Sequence, residues 1–167
     1  MTEVSSNRLL VADDDAELLA LFGFALRHAG FDVDTAVHGV RAIEKLERES
    51  FGLTVLDINM PGLDGFGVCE RMRARSSIPV IMLSARNHEA DVVRALDLGA
   101  DDHITKPFSP RTFVARIRAL LRRTAAADTP TIEGGGARLD VDQRALRCRG
   151  TELRLTPLET GVLQSLA

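Results

Sequence analysis

The hydrophobic positions of this chain come in short bursts separated by longer amphipathic stretches. Residues 8 to 12 form a run of strand length, and Leu18, Phe22, Ala25 and Leu26 then recur at helical spacing until Gly30 supplies a stop. The same alternation repeats four times. A second strand near 32–36 precedes a helix with Val40, Ile43 and Leu46 on one face, and a third near 52–57 leads through Met60-Pro61-Gly62 and Asp64-Gly65 to a helix over 66–74. Pro79 allows a strand to start after it but not to run through it, so Val80 to Leu83 form the fourth strand, followed by a helix around 88–98 that ends at Gly99. A fifth strand near 102–105 meets Pro107, and a helix from Ser109 to Arg123 closes the series. Strict βα repetition predicts an α/β fold: a five-stranded parallel sheet, doubly wound, with helices on both faces.

The pattern changes after Arg123. Thr124-Ala125-Ala126-Ala127-Asp128-Thr129-Pro130 is small, polar and proline-ended, which reads as a linker. Beyond it, Ala137 to Val141, Ala145 to Cys148 and Glu152 to Leu155 alternate like a short antiparallel β segment, with Arg149-Gly150-Thr151 as a hairpin turn. Thr156-Pro157-Leu158-Glu159 is a capping box that opens a helix carrying Leu158, Val162, Leu163 and Leu166. Three strands and the start of a helix bury little apolar surface, so this region is expected to be an incomplete domain.

Composition adds bounds rather than identity. A chain of 167 residues with 45% hydrophobic content can bury one full α/β core and leave a remainder. The net charge of -3 argues against electrostatic affinity of the whole chain for nucleic acid, although a basic face on a subdomain would survive that average. No apolar run approaches the roughly 18 residues of a membrane span, and the N-terminus lacks a signal-peptide core, so the expected location is cytoplasmic, with no membrane partner. Cys69 and Cys148 fall in different segments without metal spacing and read as reduced structural thiols.

Candidate chemistry collects where the strands end. In open parallel sheets, ligands bind at the carboxyl rim of the strands. That rim would receive Asp13 and Asp14 after the first strand, Asp57 after the third, Ser84 after the fourth and Lys106 after the fifth. A single strand-end aspartate is often only a helix cap, but an acid pair, an acid, a hydroxyl and an amine in this order are hard to produce as separate accidents. Three carboxylates against one ammonium call for a divalent cation. At an effective dielectric near 20, two like charges about 4 Å apart repel by roughly 4 kcal/mol. Oxygen-only ligands favour Mg²⁺, which keeps waters and bridges carboxylate to phosphate. Asp57 is then a nucleophile toward a phosphoryl group, with Lys106 pairing one phosphoryl oxygen and Ser84 donating to another. No general base is evident, which suits a stored signal better than turnover.

Residues 8 to 123 resemble a response-regulator receiver domain, which is flavodoxin-like, and 137 to 167 resemble the first part of an OmpR/PhoB-type winged-helix effector. The motifs are DDD after strand one, LDINMPGLDG around strand three, LSAR after strand four and GADDHITKPF around strand five. This implies a receiver domain over 1–123, a linker over 124–136 and, over 137–167, the N-terminal part of a DNA-binding domain whose recognition helix is missing. The resemblance implies that Asp57 accepts phosphate from a sensor histidine kinase, that Asp13 and Asp14 hold Mg²⁺, and that the Asn59 backbone carbonyl is a further ligand. It also implies a cis Lys106-Pro107 bond that aims the lysine into the pocket. By the same resemblance Ser84 stands where the family carries its switch hydroxyl, and His103 stands where such proteins usually carry Tyr or Phe; an ordinary aromatic substitute and a pH-sensitive switch are both readings of it. The fourth helix, fifth strand and fifth helix are expected to form a homodimer face using Arg94, Asp97, Asp101, Asp102, Arg116 and Arg118. Val92 and Thr112 lack charges often found in relatives, so one cross-dimer bridge is expected to be absent. The intact regulator would control transcription through DNA, whereas these residues should bind DNA weakly or not at all. The rivals are an aspartate-nucleophile phosphatase, whose DxDx(T/V) pattern after the first strand is not found here, and an inert interaction module.

Overall fold

The computed structural model describes residues 7–85, 89–127, 132–134, 137–140, 145–148 and 151–154. The chain divides into two compact units, Met1–Leu121 and Arg122–Ala167. In the first, β1 (Arg8–Ala12), α1 (Ala16–His28), β2 (Asp32–Ala36), α2 (Gly39–Arg48), β3 (Leu53–Asp57), α3 (Gly65–Arg73), β4 (Val80–Ser84), α4 (Glu89–Asp97), β5 (Asp102–Thr105) and α5 (Pro110–Ala127), whose residues 122–127 fall in the second unit, alternate along the chain. The strands are parallel in the order β2-β1-β3-β4-β5, so the winding reverses between β1 and β3. The parallel sheet is the one the alternation predicts, and its strand order is the flavodoxin-like one that the resemblance implied.

Strands buried on both faces explain why the apolar runs are nearly continuous. Leu10, Ala12, Leu56, Val80 and Met82 face one way, toward Ala42 of α2, Phe66 and Met72 of α3 and Ala95 of α4. Leu9, Val11, Leu53, Val55, Ile81 and Leu83 face the other, toward Leu19, Phe22 and Leu26 of α1 and Phe113, Ile117 and Leu120 of α5. Helix starts are capped by side chains: Asp15 accepts from Glu17 and Leu18 N–H, Asp64 from Gly67 N–H, and Ser109 from Thr112 N–H. Gly30 and Gly99, at φ +95° and +88°, end α1 and α4 in the left-handed conformation.

Two expectations need correction. Val40 is 52% exposed, because the inward stripe of α2 runs through Gly39, Ala42, Ile43 and Leu46. Gly39 sets that rotation: a Cβ there would lie 2.0 Å from the Leu63 carbonyl oxygen. The span read as a linker over 124–136 holds the end of α5, which continues to Ala127, and a short strand β6 (Ile132–Gly134). Polyalanine reads as spacer by composition, yet alanine is the best helix former.

In the second unit, β6, β7 (Ala137–Asp140), β8 (Ala145–Cys148) and β9 (Thr151–Arg154) pair antiparallel in sequence order. The Arg149-Gly150 part of the hairpin, the Thr156-Pro157-Leu158-Glu159 box and the helix expected after it lie outside the described residues. No helix among the described residues is long and apolar enough to cross a membrane.

Candidate functional site

At the carboxyl rim, the sheet delivers its polar residues one after another. Asp13 extends β1 by one bond, its N–H donating to Ala36 O at 3.1 Å, before Asp15 caps α1. Its side chain is 1% exposed; Oδ1 accepts from Asp15 N–H at 2.9 Å and Oδ2 meets Lys106 Nζ at 2.6 Å. Asp57 is the last residue of β3 and equally secluded. Its Oδ2 accepts from Asn59 N–H at 2.9 Å, and its Oδ1 lies 2.8 Å from Lys106 Nζ. All four oxygens of these two acids are therefore engaged, two by backbone N–H groups and two by one ammonium. Ser84, 1% exposed, ends β4, and its carbonyl receives Lys106 N–H at 2.7 Å, which fixes the lysine backbone to the adjacent strand. The Lys106-Pro107 peptide is cis. Asp14 is exposed at the lip.

Burial pushes the Asp57 carboxyl above its ordinary range; contact with Lys106 opposes this, the nearby Asp13 charge adds to it, and the Asn59 N–H opposes it further. Burial works against the Lys106 ammonium too, but its hydrogen bonds to Asp13 and Asp57 and their charges outweigh it and hold the amine above the usual lysine range. One oxygen from each of Asp13, Asp14 and Asp57 lies within 4.8 Å of the other two. This all-oxygen cluster fits a hard divalent cation.

The remaining sequence candidates are scattered more widely. Asp102 pairs with Arg116 at 3.0 Å within the chain, linking β5 to α5. Asp101 caps Val80 N–H at 2.8 Å and pairs with Arg73 of α3 at 2.9 Å. The Arg94 guanidinium stands 4.2 Å over the Phe66 ring, and Asp97 is exposed. Arg118 does not join this group: it donates to Ala29 O at the end of α1. His103, with Val92, Leu96, Thr112 and Arg116, lines a groove of about 480 Å³ along β5, α4 and α5.

Gly65 shapes the backbone beside Asp57, and periodicity did not single it out. Its N–H donates to Ile58 O at 3.2 Å, and a Cβ there would lie 2.3 Å from the Asp57 carbonyl oxygen, so only glycine lets α3 begin against the acid's own backbone. The Asp64-Gly65 pair was the available signal, read only as a turn. Asp15, third of the acidic run, serves as the α1 cap.

Residues 9–118 match the family model described as the response regulator receiver domain. The sensory transduction protein RegX3 of Mycolicibacterium smegmatis is 40% identical over 163 residues, covering 95% of this chain and 72% of that protein. The DNA-binding response regulator MtrA of Mycolicibacterium paratuberculosis is 39% identical over 160 residues, covering 96% of this chain and 71% of that one. The solved receiver domain of the Francisella response regulator 1452 matches with a TM-score of 0.68 at 32% identity, over 71% of this chain and 98% of that chain.

Proposed function

The chain belongs to the response-regulator family, in its OmpR/PhoB branch, and from that premise we propose that Asp57 accepts a phosphoryl group from the phosphohistidine of a sensor histidine kinase. A carboxylate oxygen of Asp57 forms the new O–P bond as the P–N bond breaks, and the departing imidazole nitrogen keeps the electron pair. Lys106 leaves its carboxylate contact to pair with one phosphoryl oxygen, and the Ser84 hydroxyl donates to another. Asp13, Asp14, Asp57 and the Asn59 backbone carbonyl are the residues that would hold Mg²⁺, which when bound supplies charge neutralisation at the phosphoryl oxygens. In this reading the protein is a phosphoacceptor that catalyses only its own phosphorylation and dephosphorylation: the carboxylates nearest Asp57 are Asp13, held by Lys106, and Asp14, and both are assigned to the cation.

The observation that carries this reading is the convergence on one rim of two secluded carboxylates, an exposed third and a lysine that touches both secluded ones. In the same reading, residues 1–123 are the receiver and 137–167 belong to a winged-helix DNA-binding domain. The phosphorylated receiver pairs with a second copy through α4, β5 and α5, and the intact regulator controls transcription in the cytoplasm.

The test is incubation with acetyl phosphate and Mg²⁺, read by intact mass on wild type and Asp57→Asn. One phosphoryl adduct, present in wild type and missing from the variant, is expected. Steady release of inorganic phosphate without an adduct would point to a phosphatase, and no adduct at all to an inert module.

A further inference from the structure

His103 sits in the middle of β5 opposite Met82 of β4, so its side chain lies on the sheet face that packs against α4. The residue is half-buried, and its ring nitrogen Nε2 is buried with no hydrogen-bond partner. A neutral imidazole can leave one nitrogen unpaired at modest cost. An imidazolium cannot, because both nitrogens then carry N–H groups and the charge would sit beside apolar Met82. The charged groups facing the ring come from three elements: Asp91 on α4, Asp102 on β5 itself and Arg116 on α5. Arg94 is turned away onto Phe66, and Asp101 is engaged by Arg73. Among the described residues, the carboxylates that act on the ring, Asp91 and Asp102, therefore lie on α4 and β5, the elements that border the groove lined by Val92, Leu96, Thr112 and Arg116.

We propose that His103 is a proton-sensing residue for α4: taking up a proton from solvent at the ring lone pair drives the imidazole out of the sheet face toward Asp91, since Asp102 is already engaged by Arg116, and α4 shifts with it. Burial holds the ring below the ordinary histidine range, the neighbouring Asp102 and Asp91 pull it up, and Arg116 adds to the lowering, so the neutral, inward ring is the resting state near neutrality. The coupling needs no phosphoryl group, so it stands or falls separately from the chemistry at Asp57.

The test uses the full, unphosphorylated chain, followed by nuclear magnetic resonance from about pH 8 to about pH 5. The His103 ring signal is assigned by its loss in His103→Phe. Ala95 and Leu96 amides of α4 are expected to shift with the same midpoint as the His103 ring in wild type, and to stay flat in His103→Phe. In Asp91→Asn, which removes a charge that favours the imidazolium, the midpoint should move to lower pH. Amides that stay flat while His103 titrates, or that titrate equally in His103→Phe, overturn the proposal. If His103→Phe does not fold, an unmoved midpoint in Asp91→Asn overturns it alone.

Discussion

Lys106 offsets only part of the charge of the pocket, one ammonium against three carboxylates. Its ammonium spans Asp13 and Asp57 at 2.6 and 2.8 Å, so a cation entering between these acids meets a competitor already in place. Lys106→Met is therefore expected to tighten Mg²⁺ binding by roughly tenfold, about 1.4 kcal/mol, measured by titration calorimetry, while slowing formation of the phosphoryl adduct. Unchanged Mg²⁺ affinity would show that the lysine does not compete. Asp57 makes a complementary prediction. Its carboxyl is raised above the ordinary range chiefly by burial, and a raised acid contributes stability that is full below its unfolded pKa and lost as pH rises through the folded one. Asp57→Asn removes the charge that folding disfavours. In metal-free buffer the variant should melt higher than wild type at neutral pH, and the gap should close in acid. Gly65 sets the third constraint. With its Cβ position 2.3 Å from Asp57 O, Gly65→Ala should destabilise by about 1–3 kcal/mol in urea and reduce adduct yield together with stability.

Between elements, the polar ties at one edge of the sheet have a defined pH dependence. Arg8 of β1 contacts Asp32 at 3.4 Å and Asp34 at 3.5 Å, pairs with Glu49 after α2, and lies 5.0 Å over the Phe51 ring; Lys45 of α2 pairs with Asp34. Burial opposes ionisation of Asp34, but hydrogen bonds from Lys45 and Thr35 N–H, with the charges of Lys45 and Arg8, outweigh it and hold the carboxyl below its usual value. A lowered acid contributes stability above its unfolded pKa that is lost as pH falls through the folded one. Asp34→Asn should therefore cost about 1 kcal/mol at neutral pH, and its urea midpoint should converge with that of wild type as pH drops below the usual aspartate range. These strand and helix positions were legible in the sequence because a two-sided parallel sheet leaves unbroken apolar runs whose polar ends mark the rim: Asp57 and Ser84 each close a strand, and Asp13 and Lys106 each follow one. Where the reading of α2 failed, a single residue explains it. Gly39 counts for nothing in a hydrophobic pattern, yet its contact with Leu63 O turns Val40 outward. Arg116 and Arg118, two positions apart on α5, point about 200° apart in helical projection, so only one could belong to the α4–β5–α5 face; the other reaches Ala29 O.

Across the whole receiver unit, the rim and the proposed dimer face share β5, since Lys106 follows it directly and His103, Asp102 and their groove lie on it. A change at the pocket therefore reaches that face through one short strand. The charges available there are fewer than the sequence suggested. Asp102 and Arg116 already satisfy each other, Arg94 stacks on Phe66, Asp101 is held by Arg73, and Val92 and Thr112 bring no charge to the groove. Exposed ion pairs contribute only about 0–1 kcal/mol each, so a two-fold interface at this face must draw mainly on apolar contact, for which Leu96 and Val93, 53% and 50% exposed, are on α4. A dimer formed on addition of beryllofluoride and Mg²⁺ should accordingly keep its dissociation constant within about tenfold when salt rises from about 0.1 M to about 1 M, although exposed charges are strongly screened over that range. Leu96→Glu should abolish the dimer while leaving the phosphoryl adduct intact. Sedimentation velocity reads both. A monomer with and without beryllofluoride would remove the dimer from the proposed function, and a dimer that dissolves in salt but survives Leu96→Glu would return the interface to its ion pairs.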